Sequence, residues 1–354
     1  GLRSTLVARP PVPAPTAIAV LPFSVRGAES AQYLGAGLVN LLATALDGAG
    51  TLRRVDTRAI FAAVSEGLQG TGSTVADPRR AREIAARLNA GLYVLGDVVE
   101  AGDQLHLEAA VYDVGITQPR SSAAVSGSAD SVFVLVDRLA ARLLGGLGDP
   151  SADRLLRTAA LTTASLPALK AYLEGEGLMR AARFEQAGVA YLAAIALDST
   201  FAVAHYRLAL AREWAPLPGN AEAAAAAGRH GARLSARDRM LLDAFRQWRG
   251  GDAVQAYRAY RTILTRYPDD VDAWFQMGEI QFHHLPLLGH PLAESEGAWR
   301  KILEHEPRNL FAVTHLFRIA AVTGRVSSLD SLLEPFRQSR PDDSGTDRRL
   351  DELL

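Results

Sequence analysis

LPALKAYLEGEGLMRAARFEQAGVAYLAAIA, residues 166–196, reads as two apolar helices joined by a short turn. Leu166–Ala181 forms the first and Phe184–Ala196 the second. Gly175 and Ala187 fall where the two must approach closely, and Leu178, Phe184 and Tyr191 fall where they pack. The pattern then returns. Tyr172 is matched by Tyr206, Leu241 and Phe275, at intervals of 34, 35 and 34 residues. One such pair cannot bury its apolar face alone, so repetition at this period predicts pairs stacked into a superhelix with a concave groove. A groove of that kind binds and does not usually catalyse.

Later copies follow the same rule. Ala209 and Ala221 take the small slots of the second repeat, Ala244 and Ala256 those of the third, which also has Tyr260 and ends on Pro268. The fourth has Trp274, Gly278, Trp299 and Pro307, with an insertion over His283–Pro291. A fifth, weaker repeat spans Leu310–Pro335, carried by Leu316, Leu329 and Leu333. The polar stretch after it predicts a loose tail.

Upstream the period changes. Ala17–Phe23 (AIAVLPF) reads as a buried strand, and Tyr33, Leu34, Leu38, Leu41, Leu42 and Ala45 have helical spacing. Thr51–Val55 is a short strand and Thr57–Glu66 a helix. Asp77 caps a helix with Pro78 at its first position. Leu92–Val99 and Leu105–Val114 form a hairpin around Gly102-Asp103, Ser121–Ser126 adds an edge strand, and Ser131–Leu144 is a final helix. The expected organisation is a Pro-rich linker over residues 1–15, an α/β domain with a mixed sheet over 16–147, and a Gly-rich linker over 148–165. An all-α solenoid of about five repeats over 166–340 and a tail over 341–354 complete it. The break at Gly145–Pro150 predicts that each half folds alone.

Composition excludes several classes. Cysteine is absent, which removes disulfides, thiolate metal sites and cysteine nucleophiles. A net charge of −1 gives no global field for nucleic acid or an anionic membrane. No apolar run reaches the roughly 18 residues of a membrane span; the best, Val132–Leu147, is broken by Asp137, Arg138 and Arg142. The chain opens on Gly1, without Met, ahead of the stiff stretch Ala8–Pro15. That arrangement predicts a piece cut from something upstream.

The 34-residue period is that of tetratricopeptide (TPR) repeats. Ala17–Phe23, Tyr33–Leu38, Arg82–Leu88 (REIAARL) and Tyr93–Val98 (YVLGDV) together resemble the TolB-like amino-terminal domain of bacterial signalling proteins. In that family the domain commonly precedes TPR repeats, and the pair often follows a serine/threonine kinase and a membrane span. The resemblance implies a non-catalytic interaction or sensor region, tethered to a membrane by an upstream segment, with the extracytoplasmic side favoured. The other readings are a scaffold subunit of an envelope complex, or an enzyme with its site on the hairpin.

Gly70-Thr71-Gly72-Ser73-Thr74 lacks the lysine of a phosphate loop and reads as a connection. His106, Glu108 and Tyr112 share one strand face, as an acid/base pair or a solvated surface would. His283, His284 and His290 have no carboxylate of matching spacing within their loop, so no metal and no cofactor are expected. Nucleophile-elbow and kinase motifs are absent. The binding candidates therefore lie in the groove. Tyr172, Tyr206 and Phe275 occupy one slot with Leu241, and Met179, Trp248 and Phe282 a second, with Trp214 one residue beyond it. Arg180, Arg207 and Arg249 lie alongside. Aromatics with Arg carry binding energy at interfaces, so a protein or peptide partner is expected here; the same aromatics also suit packing between successive helices.

Overall fold

The computed structural model describes residues 16–68, 77–148 and 162–325. The Pro-rich start, the Gly70–Thr74 stretch, most of the inter-domain linker, the end of the fifth repeat and the tail lie outside the described residues.

Strands β1 (Thr16–Val20), β3 (Leu52–Arg54), β4 (Leu92–Ala101), β5 (Gln104–Asp113) and β6 (Pro119–Ser128) line up in the order β3-β1-β4-β5-β6. The short β2 (Ser24–Arg26) pairs with the far part of β4. β1 is parallel to both its neighbours, whereas β4, β5 and β6 run antiparallel. The sheet is therefore mixed. The β4–β5 turn is Gly102-Asp103, with Gly102 at φ +64, a left-handed conformation that glycine adopts without steric cost.

Alternation along β1 feeds two cores. Ile18 and Val20 join α1 (Tyr33–Leu46) and α4 (Val132–Gly146) on one face. Ala17, Ala19 and Leu21 join α2 (Thr57–Leu68) and α3 (Pro78–Arg87) on the other. On α3, Asp77 accepts the Arg79 amide and Pro78 opens the first turn, the cap its sequence predicts.

The second half is all α. Its helix pairs are α5 (Leu166–Arg180) with α6 (Phe184–Leu197), and α7 (Ala202–Trp214) with α8 (Asn220–Arg229). They continue with α9 (Ala236–Arg249) and α10 (Ala253–Arg266), then α11 (Val271–His283) and α12 (Glu296–His305), and finally α13 (Leu310–Thr323). Side-chain carboxylate, amide or hydroxyl caps start five of them: Ser165, Ser235, Asp252, Asp270 and Asn309. The small slots work by contact. A Cβ on Gly175 would stand 2.5 Å from the buried Tyr191 ring, and one on Gly278 would stand 2.9 Å from Trp299. In the second repeat the slot is taken by Ala223, Ala224 and Ala227, while Ala221 is exposed. The spacing drifts there because α8 begins only after the irregular segment 215–219.

Gly175→Ala is expected to destabilise the chain. Overpacking costs about 1–3 kcal/mol, more than the roughly 1 kcal/mol that alanine gains in a helix. Gly145→Ala, with nothing within 4 Å of its Cβ, is the comparison and is expected to be neutral or stabilising in thermal melts.

The two halves are not separate bodies. Val271, Phe275, Trp299, Ile302 and Leu316 of the solenoid share one apolar cluster with Val55, Ile60 and Ala63 of the α/β domain. On the other side Leu169 of α5 joins the α1 core. A Cβ on Gly37 of α1 would meet Leu173 at 2.8 Å. The solenoid thus packs directly on the chain's own α/β domain.

Candidate functional site

The start of α2 and the start of α11 meet head on. The Asp56 amide donates to Asp269 (2.7 Å), and the Val271 amide donates to Asp56 (3.1 Å). Each helix entry is thereby capped by a carboxylate from the other domain. Arginines complete the lattice. Arg237 reaches Asp270 (2.6 Å), Asp56 (3.0 Å) and Asp238 (3.2 Å). Arg58 reaches Asp272 (2.6 Å) and Glu306 (2.9 Å), and Arg53 is paired with Asp269. Arg207 grips Glu176 through two nitrogens (2.6 and 3.0 Å) and Asp272 through a third (2.7 Å). Carboxylates outnumber guanidinia in this lattice, and the two helix N-termini supply the missing positive charge.

Burial and pairing push the lattice carboxylates in opposite directions. Burial alone would raise Asp272, but Arg207, Arg58 and Arg237 outweigh it and hold it below the usual carboxylate range. Burial pushes Asp270 up to about 7, with Asp56 and Asp272 adding repulsion and Arg237 only partly offsetting it. The signs follow by linkage. Asp272 stabilises the fold above about pH 4, its unfolded value, and that stabilisation is lost as pH falls below it. The stability from protonated Asp270 is present below about pH 4 and is lost as pH rises through about 7. Asp270→Asn is expected to flatten the decline in urea midpoint between these two values, since Asn keeps the cap on Ala273. An unchanged slope would remove Asp270 from that role.

The sequence-derived groove residues do not share one open surface. Tyr206 is 1% exposed, edge-on to Phe245 at 6.2 Å. Arg207 is 5% exposed inside the ionic lattice. Tyr172 is half-buried between Phe201 (5.1 Å) and Tyr191 (5.8 Å). Trp248 is buried and donates its indole N–H to His284 (3.1 Å). Arg249 is exposed and paired with Glu213 at 3.0 Å. Phe282 stands edge-on to His315 at 4.6 Å. The remaining four candidates, Met179, Arg180, Trp214 and Phe275, do come together. They line a cleft of about 700 Å³ between α2, the first helix turn and the segment before α13.

This cleft is aromatic and basic. Phe61, Phe184, Trp214, Phe275 and Phe311 form its walls, and the Trp214 and Phe275 rings stand 4.7 Å apart. Arg180 lies over the Phe61 ring at 4.3 Å, and burial lowers its pKa, with Glu176 only partly countering. At the cleft floor Arg58 pairs with both Asp272 and Glu306, Asp272 also meets Arg207, and Glu66 is paired with Arg87. Arg180, Arg183 and Arg308 form no ion pair among the described residues, so the free charge of the cleft is positive.

The hairpin face is solvated. His106 and Glu108 are exposed, His106 Nδ1 lies 2.8 Å from Ser126 Oγ, and Tyr112 stacks on Tyr93 at 5.2 Å. The histidines of the insertion diverge. His290 pairs with Glu294 at 3.2 Å and His284 serves Trp248, whereas His283 approaches Glu279 one helical turn upstream at 3.5 Å. That carboxylate lies outside the loop that the sequence pattern singled out.

Sequence reading passed over Arg53, Arg54, Asp56 and Arg58. The signal was present as a basic run, LRRVDTR at 52–58, facing an acidic run, PDDVD at 268–272. Complementary charge patterns on two domains are the cue for such a clasp.

Among the described residues no helix is long and apolar enough to cross a membrane. No protein-family model matches the chain, and no curated protein matches it. Among solved structures it is similar to YrrB, described as a TPR protein with an unusual peptide-binding site, at 17% identity and a TM-score of 0.29, covering 52% of this chain and 92% of that one. It is similar to the LpoB C-terminal domain from Salmonella enterica at 16% identity and a TM-score of 0.27, covering 34% and 87%. Human IFIT1, solved as a dimer with m7Gppp-AAAA, is similar at 14% identity and a TM-score of 0.41, covering 62% and 52%. The chain's own geometry gives the architecture: an α/β domain with a mixed sheet, followed by an all-α solenoid of helix pairs.

Proposed function

We propose that this chain is a non-catalytic protein-interaction region of a bacterial signalling protein, and that its partner enters the cleft between α2 and the solenoid. One observation carries the proposal. About 700 Å³ of aromatic-walled space contains the half-buried Arg180, which has no ion pair among the described residues. A buried guanidinium is costly until a carboxylate meets it. The occupant this chemistry fits is an extended peptide segment with Asp or Glu beside an aromatic or leucine anchor. The TolB-like sequence pattern supports the signalling context, a membrane tether upstream and an extracytoplasmic placement. The domain limits 16–147 and 166–340 are part of the same reading.

Selection from a random peptide library displayed on phage tests it. Acidic-aromatic peptides are expected, and Arg180→Ala is expected to weaken their binding by about 1.5–3 kcal/mol, the range for a charged hydrogen bond. Arg249→Ala, at an exposed residue that does not line the cleft, is the control. Peptides that bind both variants equally well would place the partner elsewhere.

A further inference from the structure

A second cluster of polar side chains lies at the other end of α11, remote from the ionic lattice. Glu279 and His283 stand one turn apart on α11, and His315 faces them from α13. His283 Nε2 is 3.5 Å from one Glu279 oxygen, and His315 Nε2 is 3.3 Å from the other. The three ligand atoms lie within 4.8 Å of one another. In a tetrahedral site with bonds of about 2.0–2.2 Å, neighbouring ligand atoms stand roughly 3.3–3.6 Å apart. With Glu279 Oε1 as the ligand atom, its edge to His315 has that length already, and His283, on the exposed side, is free to close in from within 4.8 Å.

His315 supplies the independent argument. It is 5% exposed, and its Nδ1 lies 2.8 Å from the Phe311 carbonyl oxygen. A carbonyl only accepts, so Nδ1 carries a proton, and in the neutral ring Nε2 then presents a lone pair. That nitrogen is buried without a hydrogen-bond partner. The ring cannot turn away: Trp299 stacks on it at 4.0 Å and 14°, and Phe282 meets it edge-on at 4.6 Å. A lone pair held against a carboxylate oxygen calls for a cation between them. An imidazole whose second nitrogen donates to a backbone carbonyl is the form that binds metal. Glu213 adds negative charge near Glu279, and Arg318 opposes it from the exposed face of α13.

We propose that Glu279, His283 and His315 bind a divalent transition-metal ion of the zinc class, with a fourth position open on the His283 side. Two imidazoles and one carboxylate suit that chemistry, and the absence of cysteine does not count against it. The ion would pin α13 to α11.

Equilibrium dialysis of the chelator-stripped full chain against Zn²⁺ alone tests this. One equivalent is expected to be retained, with a rise in melting temperature. His283→Ala, on an exposed residue that the fold can lose, is expected to weaken retention by about 100-fold or more, since even outer partners cost 10–100-fold. Glu279→Gln is expected to do the same, and His284→Ala and His290→Ala to leave retention intact. No retained zinc would overturn the site in favour of a proton shared between Glu279 and His315. Retention unaffected by His283→Ala, or abolished equally by His290→Ala, would overturn it as well.

Discussion

Replacing Arg207 by Ala is expected to lower the unfolding free energy by about 3–5 kcal/mol, the cost of stripping one partner from a buried ion pair. Its guanidinium is the main counter-charge of Glu176, a residue buried in the apolar first repeat. It also shares Asp272 with Arg58. The variant leaves Glu176 with the Tyr191 hydroxyl at 2.6 Å as its remaining hydrogen-bond donor. Urea unfolding of the full chain measures the loss. Glu176→Gln added to Arg207→Ala is expected to recover part of it, because the orphaned charge is then gone. A loss within about 0.5 kcal/mol, the range of ordinary surface substitutions, would mean that the lattice is solvated.

Arg237→Ala is expected to cost at least as much, about 3–5 kcal/mol, and to change the shape of the transition as well. Arg237 is 7% exposed and holds Asp56 of the α/β domain and Asp270 of the solenoid at once. Without it, two buried carboxylates from different domains face each other. The wild-type chain is expected to unfold in one step, because its second apolar core is shared between the domains. In the variant the tryptophan signal, which comes only from the solenoid, is expected to separate from the loss of sheet circular dichroism. Coincident transitions in Arg237→Ala would show that the apolar cluster alone couples the domains. The expectation that the halves fold alone, read from the Gly145–Pro150 break, is put to the same measurement.

Much of the architecture was legible because local periodicity encodes it. The 34-residue recurrence located α5, α7, α9 and α11, and the Gly102-Asp103 turn located the hairpin. The helix cap at Asp77 follows from local hydrogen bonding that neighbouring residues specify. What was not legible is what fills the concave face. The recurrence of Tyr172, Tyr206 and Phe275 predicts residues on the inner side of the superhelix. Periodicity carries no information on whether the inner side meets solvent, a partner or the same chain. Here Tyr206 and Arg207 meet the chain itself, while Arg180 and Trp214 border the space left over. Likewise His283 drew notice in sequence, but its companion His315 lies on another helix, brought near only by the stacking of repeats.

One contact has a mechanical meaning. Phe184, in the first helix pair, touches Phe311, at the start of the last described helix, with ring centroids 5.6 Å apart. Repeat arrays ordinarily behave as a line of nearest neighbours, in which unravelling starts from a free end. Here the first helix pair also meets the last described helix at a seam, and α2 lines the same cleft as a hub. A contact of this kind gives the last described helix a second anchor, which opposes fraying from that side. A segment entering at Arg180 would slip in at the seam, where it touches both ends and the hub together. Opening the seam by Phe184→Ala is expected to release that anchor, with the last described helix gaining amide hydrogen exchange first.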